Sequence, residues 1–290
     1  MNLMKFKKIY FLISLTFLIP GLISLLLFGL KPAIDFTGGS LLEVHFLNSD
    51  NANLKENNFE DTLAQFYEAS VVQKSGENKI LIKGKEIDNQ AKDELLVNLN
   101  ESYGQLEVLR FETVGPILGA ELLKKTLVAI FLVASIITFY VWKQFDELKY
   151  GVCAVLAMLH DSFILIGAFS LLGHFFNVEV DVLFVTALLT TLSFSIHDTI
   201  VVYDRIRELK RKNPRSNLEA TANVAVLETL SRSINNSMTI IIMLLSLAVL
   251  GGDTIRWFVI ALLIGAITGT YSSTFTAVPL LLVVNKKKIN

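Results

Sequence analysis

The sequence predicts an α-helical membrane protein with six transmembrane helices and one extracytoplasmic α+β domain of ferredoxin-like βαββαβ order. Three observations predict it. Of 290 residues, 52% are hydrophobic and only 18% are charged, which is too apolar for an ordinary soluble domain. Six apolar stretches have the length of a bilayer span. The net charge of -1 averages two unlike parts: Lys31 to Glu121 holds 8 Lys and Arg against 16 Asp and Glu, a net −8, which leaves +7 for the remainder. An acidic soluble domain is set in a basic membrane frame.

A span needs about 20 mostly apolar residues to cross roughly 30 Å of hydrocarbon. The predicted spans are Ile9–Leu30, Thr126–Trp142, Tyr150–Leu172, Val182–Tyr203, Arg232–Leu250 and Trp257–Val284. The first follows Lys5, Lys7 and Lys8 and is expected to stay as an anchor, because it exceeds a usual signal core and no small-x-small site closes it. Lysine and arginine favour the cytoplasmic side. With the N-terminus inside, the inner segments hold those lysines, then Lys143 and Lys149, six cations from Arg205 to Arg215, and Lys286, Lys287 and Lys288. The short outer loops hold only Arg256. Lys124 and Lys125 run against the trend, but they follow a large domain whose charges count for little. Both termini are therefore expected in the cytoplasm. The expected organisation is residues 1–30 as N-terminus and first helix, 31–116 as the outer domain, and 117–290 as a five-helix domain with a cytoplasmic loop over 204–228.

Within the outer domain, Leu42, Val44 and Phe46 alternate as in a half-buried strand, and Phe59, Leu63, Phe66 and Tyr67 recur at helical spacing. Val71 and Val72 open a second strand, and Ile80 and Ile82 a third across a turn at Gly76–Asn78. Leu95, Leu96 and Leu99 mark a helix, and Leu106, Val108, Leu109 and Phe111 a last strand. The order is that of a ferredoxin-like fold. His45 beside Glu43 reads as a strand residue. The acidic excess is a solvated surface or, on a sharper reading, a face for basic or unfolded chains.

The single cysteine, Cys153, excludes an intrachain disulfide, and no Cys/His spacing suggests a metal. Neither a Walker loop nor a nucleophile elbow is present. No enzyme activity, cofactor or nucleic-acid partner is expected.

Ionisable residues inside spans mark partners, packing or ion paths. Here they are Asp161 beside His160, Asp198 beside His197, and Arg232. Counting from the outer helix ends places Asp198 and Arg232 at similar depth in the cytoplasmic half. Two readings stand for them: a structural ion pair stapling two helices, or a carboxylate whose pairing with arginine is made and broken as a proton passes. Asp161 is a structural contact or a second functional carboxylate. Ala261, Gly265, Gly269 and Ser273 repeat every four residues and predict close helix packing.

Several motifs carry a family resemblance. Asp35-Phe36-Thr37-Gly38-Gly39 resembles the DFTGG signature shared by the bacterial export subunits SecD and SecF. Val114-Gly115-Pro116 with Gly119 and Glu121 resembles the VGP-x-x-G-x-E pattern that leads into the second span. Phe194–Arg207, FSIHDTIVVYDRIR, is similar to the SecF-family pattern with SINDT and FDRIRE, and Thr229–Asn235 and Gly251–Pro279 extend the match along nearly the whole chain. The resemblance implies a six-helix half of an RND-type unit, with SecD as the other half. It implies work with the SecYEG channel, YajC- and YidC-type proteins and a translocating unfolded polypeptide, driven by the proton motive force. The residues it implicates in proton passage match Asp198 and Arg232. His197 stands where the family usually has asparagine, either as a titrating group or as a polar substitute. A small-molecule or lipid exporter and a structural subunit that uses no gradient are the competing readings.

Overall fold

The computed structural model describes residues 2–47, 56–76, 78–145 and 147–286, and the chain divides into two units, Pro32–Leu127 and Met1–Lys31 with Val128–Asn290. Six helices are long and apolar enough to cross a membrane. In hydrocarbon each backbone N–H and C=O must find its partner inside the segment, so the apolar runs become helices.

The smaller unit opens with a one-turn helix α2 (Ile34–Thr37) and continues β1 (Gly39–Phe46), α3 (Glu56–Leu63), β2 (Ala69–Gly76), β3 (Lys79–Gly84), α4 (Asn89–Tyr103) and β4 (Leu106–Val114). The sheet order is β2-β3-β1-β4, antiparallel at every pairing, which is the ferredoxin-like arrangement the alternation predicts. Leu42, Val44 and Phe46 point into a core closed by Phe59, Leu63, Ile80, Ile82, Leu95 and Leu99. Phe66, expected on the α3 face, lies beyond the end of that helix and is exposed. Glu77, in the predicted turn, lies outside the described residues. Asp88 caps α4 by accepting from Ala91 N–H at 2.8 Å.

Tyr67 ties this domain's edge together. Its hydroxyl donates to the Lys85 carbonyl at 2.6 Å, and burial pushes its pKa up from 10.0 to about 12. The folded state therefore holds the phenolic proton more tightly than the unfolded chain, so this contribution is complete below pH 10.0 and is lost as pH rises to about 12. Denaturation of the intact protein across that window is expected to be steeper in pH for the wild type than for Tyr67→Phe.

The larger unit contains a 3-10 turn (Leu3–Phe6), α1 (Lys7–Phe28), α5 (Pro116–Gln144, shared with the other unit), α6 (Leu148–Phe176), α7 (Val182–Lys212), α8 (Leu218–Leu250), α9 (Asp253–Ser272), a π-helical turn (Ser273–Ala277) and α10 (Val278–Lys286). The segment 204–228, expected as a loop, is helical except for 213–217. The helices outrun the hydrocarbon because Tyr203 and Ile206 bury against Ala222, Ala225 and Val226. The last span is not one continuous α-helix. Pro279 has no N–H for the Phe275 carbonyl and crowds it, and the wider π-turn relieves that conflict. The Tyr203 hydroxyl donates to the Ala277 carbonyl at 2.7 Å just there.

The N-terminal turn docks on the start of α8: Leu3 N–H donates to Asn223 Oδ1 at 2.7 Å and Lys7 pairs with Glu219 at 2.9 Å. Helix α1 then crosses α6 at Gly21 and Gly167, where a Cβ built on Gly167 would stand 2.5 Å from the Gly21 Cα. The Ser24 and Ser170 hydroxyls bond across the same contact at 2.8 Å, and Ser14 meets Thr276 of the π-turn at 3.0 Å. Helix α5 is the least enclosed of the six spans, with Phe131 and Trp142 turned outward and Val141, followed by Phe145 just past the helix end, inserted in the bundle core.

Candidate functional site

The polar groups of the bundle gather around α7. The α7–α9 contact is set by small residues: a Cβ on Gly265 would fall 2.1 Å from Thr191 Oγ1, and Gly269 sits against the Ser195 backbone. Ala261 and Ser273 of the same stripe are fully buried. With bulkier residues there, α7 and α9 could not bring their hydroxyls together.

Asp161 on α6 occupies this buried centre and is only 1% exposed. His160 Nδ1 lies 2.9 Å from its Oδ1, and the Ser272 hydroxyl at the end of α9 donates to its Oδ2. Ser195 of α7 faces the same carboxylate. Among the described residues no lysine or arginine pairs with Asp161.

Asp198 lies three residues beyond Ser195 and faces α8. It is half-buried, and its Oδ2 accepts from the Ser233 hydroxyl at 2.7 Å. Arg232, the neighbour of Ser233, is exposed and lines a cleft of about 1120 Å³ together with Val201, Thr229 and charged residues of the helix ends. An Asp198–Arg232 ion pair, one of the two arrangements the sequence allows, is not formed in this structure. His197 is exposed on α7 and takes no part in either cluster. At the cleft rim Arg205 binds Glu228 at 2.6 Å and also Glu208, so those carboxylates are occupied locally. Among the described residues no group of His, Cys, Asp and Glu is arranged to hold a metal ion.

The remaining motif residues build structure in the smaller unit. Gly38 and Gly39 have φ of 74° and 116°, values that L side chains rarely adopt. A Cβ on Gly38 would also meet the Pro116 Cα at 2.6 Å, and one on Gly119 the Gly38 nitrogen at 2.8 Å. The DFTGG turn and the VGP-x-x-G segment are thus one packed joint, with Phe36 buried and Gly115 beside the Glu86 carboxylate. Asp35 sits in the first turn of α2, Thr37 donates to the Ala33 carbonyl at 3.2 Å, and Glu121 pairs with Lys125 at 2.8 Å. Ser233 and Ser272 are partners that the sequence reading did not single out, although they fall inside the family-like stretches Thr229–Asn235 and Gly251–Pro279.

Six apolar helices around a buried polar centre, with one ferredoxin-like domain, define a multi-pass membrane protein with an intramembrane titratable core. Residues 95–287 match the family described as protein export membrane protein SecD/SecF, C-terminal, and residues 23–46 match the SecD/SecF GG motif. Among curated relatives, the protein translocase subunit SecF of Thermobaculum terrenum is 39% identical over 95% of this chain and 91% of its own length. That of Anaerolinea thermophila is 38% identical over 98% and 94%. The crystal structure of SecDF, a translocon-associated membrane protein from Thermus thermophilus, superposes with a TM-score of 0.84 at 30% identity. It matches 99% of this chain, which spans about two fifths (39%) of the SecDF chain. SecDF in its super-membrane-facing form gives a TM-score of 0.72. The chain belongs to the SecF family of protein translocase subunits.

Proposed function

We propose that the chain acts in protein translocation as the SecF-type half of a unit completed by SecD, coupling the proton motive force to late steps of export across the bacterial inner membrane. It works at the SecYEG channel on an unfolded polypeptide, with YajC- and YidC-type proteins as further partners, and carries out no covalent catalysis. The carrying observation is the Asp198 carboxylate, half-buried and held by Ser233, with the neighbouring Arg232 facing a cleft that leads to the helix ends. A carboxylate with one hydroxyl partner and an adjacent uncommitted guanidinium has two stable arrangements, one for each protonation state. Each charge that crosses 100 mV supplies about 2.3 kcal/mol, enough to move a two-state equilibrium of the outer domain by roughly 50-fold.

The docking of the N-terminal turn on α8 and the Lys149–Asn285 bond at 3.1 Å put Leu3 beside α8 and Asn285 beside the start of α6. Lys143, Lys149 and the six cations from Arg205 to Arg215 lie on or beside the α5–α6 and α7–α8 connections, which supports both termini in the cytoplasm. The α6–α7 connection is only 177–181. A connection this short holds no second outer domain, unlike the exporters of the superfamily the sequence resembles.

In proteoliposomes holding the full complex, Asp198→Asn is expected to assemble normally, to keep ATP-driven export, and to lose most gradient-dependent stimulation. Full stimulation in that variant would leave a structural role.

A further inference from the structure

Asp161 and His160 are buried side by side with no neutralising cation among the described residues, and one polar atom of the pair is left open. His160 Nε2, on a side chain 9% exposed, makes no hydrogen bond among the described residues, while the fully buried Ser195 faces the carboxylate. The remaining neighbour is Ser272, which donates to the carboxylate. Among the described residues, Ser195 on α7 and Ser272 on α9 act on the carboxylate from packed helices.

With one proton held between them the pair carries −1, and with a second it is neutral. An uncompensated buried charge costs several kcal/mol, so gaining or losing that proton changes how strongly the pair holds its neighbours. The open Nε2 and the Ser195 hydroxyl are the two polar routes by which it can pass. Ser195 stands one helical turn from Asp198 on the same helix, so the exit points toward the other carboxylate. Ser272 is also the last residue before the π-turn that accommodates Pro279.

We propose that His160 and Asp161 form a second proton-holding site, exchanging one proton through Ser195 and His160 Nε2, whose charge sets how firmly α6 grips α9 at the π-turn. The proposal rests on the proton-coupled reading of Asp198 and adds a store and a mechanical output to it. When the proton leaves, the Asp161 carboxyl O–H bond breaks, the acceptor beyond Ser195 or Nε2 takes the proton, and the resulting carboxylate gains a charge-assisted bond from Ser272. When it returns, that bond weakens and the π-turn is released.

The test is pH-difference infrared spectroscopy on the purified full-length protein in complex with its SecD-type partner. The wild type is expected to show a protonated-carboxyl band that Asp161→Asn removes and His160→Gln shifts, while Asp198→Asn leaves it in place. If Asp161→Asn fails to assemble, His160→Gln decides alone, because it keeps both the carboxyl and a hydrogen-bonding neighbour. No change in the carboxyl region in either variant would overturn the proposal. Such a result, with gradient-dependent export still lost in Asp198→Asn, would leave the proposed function standing and make the pair a structural contact. The expected band shift together with intact stimulation in Asp198→Asn would keep the site and sink the coupling reading.

Discussion

Gly167→Leu is expected to detach α1 from α6 and to leave little folded protein after mild heating in detergent. The atoms that a new side chain would strike are backbone: the Cβ position lies 2.5 Å from the Gly21 Cα and 2.7 Å from its carbonyl carbon. Backbone cannot rotate aside, so the helices must part. Parting them also breaks the buried Ser24–Ser170 and Ser14–Thr276 bonds. Overpacking costs about 1–3 kcal/mol, and interhelical hydrogen bonds in membranes average about 0.6 kcal/mol each, so the expected loss is roughly 2–4 kcal/mol. Gly252→Ala is the control, since a Cβ there meets nothing within 4 Å and its φ of −67° suits any residue. Size-exclusion profiles after a heat step read the difference. Equal survival of the two variants would show that the α1–α6 contact is not rigid.

That glycine contact was invisible in the sequence for a physical reason. Gly21 and Gly167 are isolated in their own helices and far apart along the chain, so no periodic signal joins them. The stripe Ala261, Gly265, Gly269 and Ser273 was legible because four successive members share one face. The spans were legible from the length of their apolar runs. The ends of α7 and α8 were not, because charge begins at Asp204 while the buried face continues through Ile206. The strands of the smaller unit were readable from alternation alone. The DFTGG motif could be recognised but not explained until its glycines were seen at positive φ against Pro116. Asp161 and Asp198 were both visible as charges in apolar runs, yet their surroundings were not. The His160–Asp161 bond joins adjacent residues, which on a helix do not normally face each other, so spacing gave no hint of it. Which of two neighbouring residues, Arg232 or Ser233, would hold Asp198 also depended on how α8 is rotated against α7.

Rotation of α8 gives the second large effect. Arg232→Ala is expected to abolish gradient-dependent export as fully as Asp198→Asn, whereas Ser233→Ala should retain a measurable part. In the present arrangement Ser233 holds the carboxylate and Arg232 faces the cleft. Removing the serine hydroxyl deletes one of two competing partners and biases Asp198 toward the arginine, but both charges survive. Removing the guanidinium leaves the ionised carboxylate without a cation. With Ser233 as its one remaining partner the carboxylate has a single arrangement instead of two, so the roughly 2.3 kcal/mol that a charge gains across 100 mV has no two-state element left to bias. Stimulation should therefore vanish rather than merely decline. Arg232→Lys keeps the charge but not the planar fork and is expected to fall between the two. If the pair acts as a unit, the double variant Asp198→Asn/Arg232→Ala should be no worse than either single one. An additive loss in the double variant, or stimulation retained in Arg232→Ala alone, would mean that the arginine serves the cleft and not the carboxylate. The proton path would then have to reach Asp198 from the side of α7 that faces Ser195.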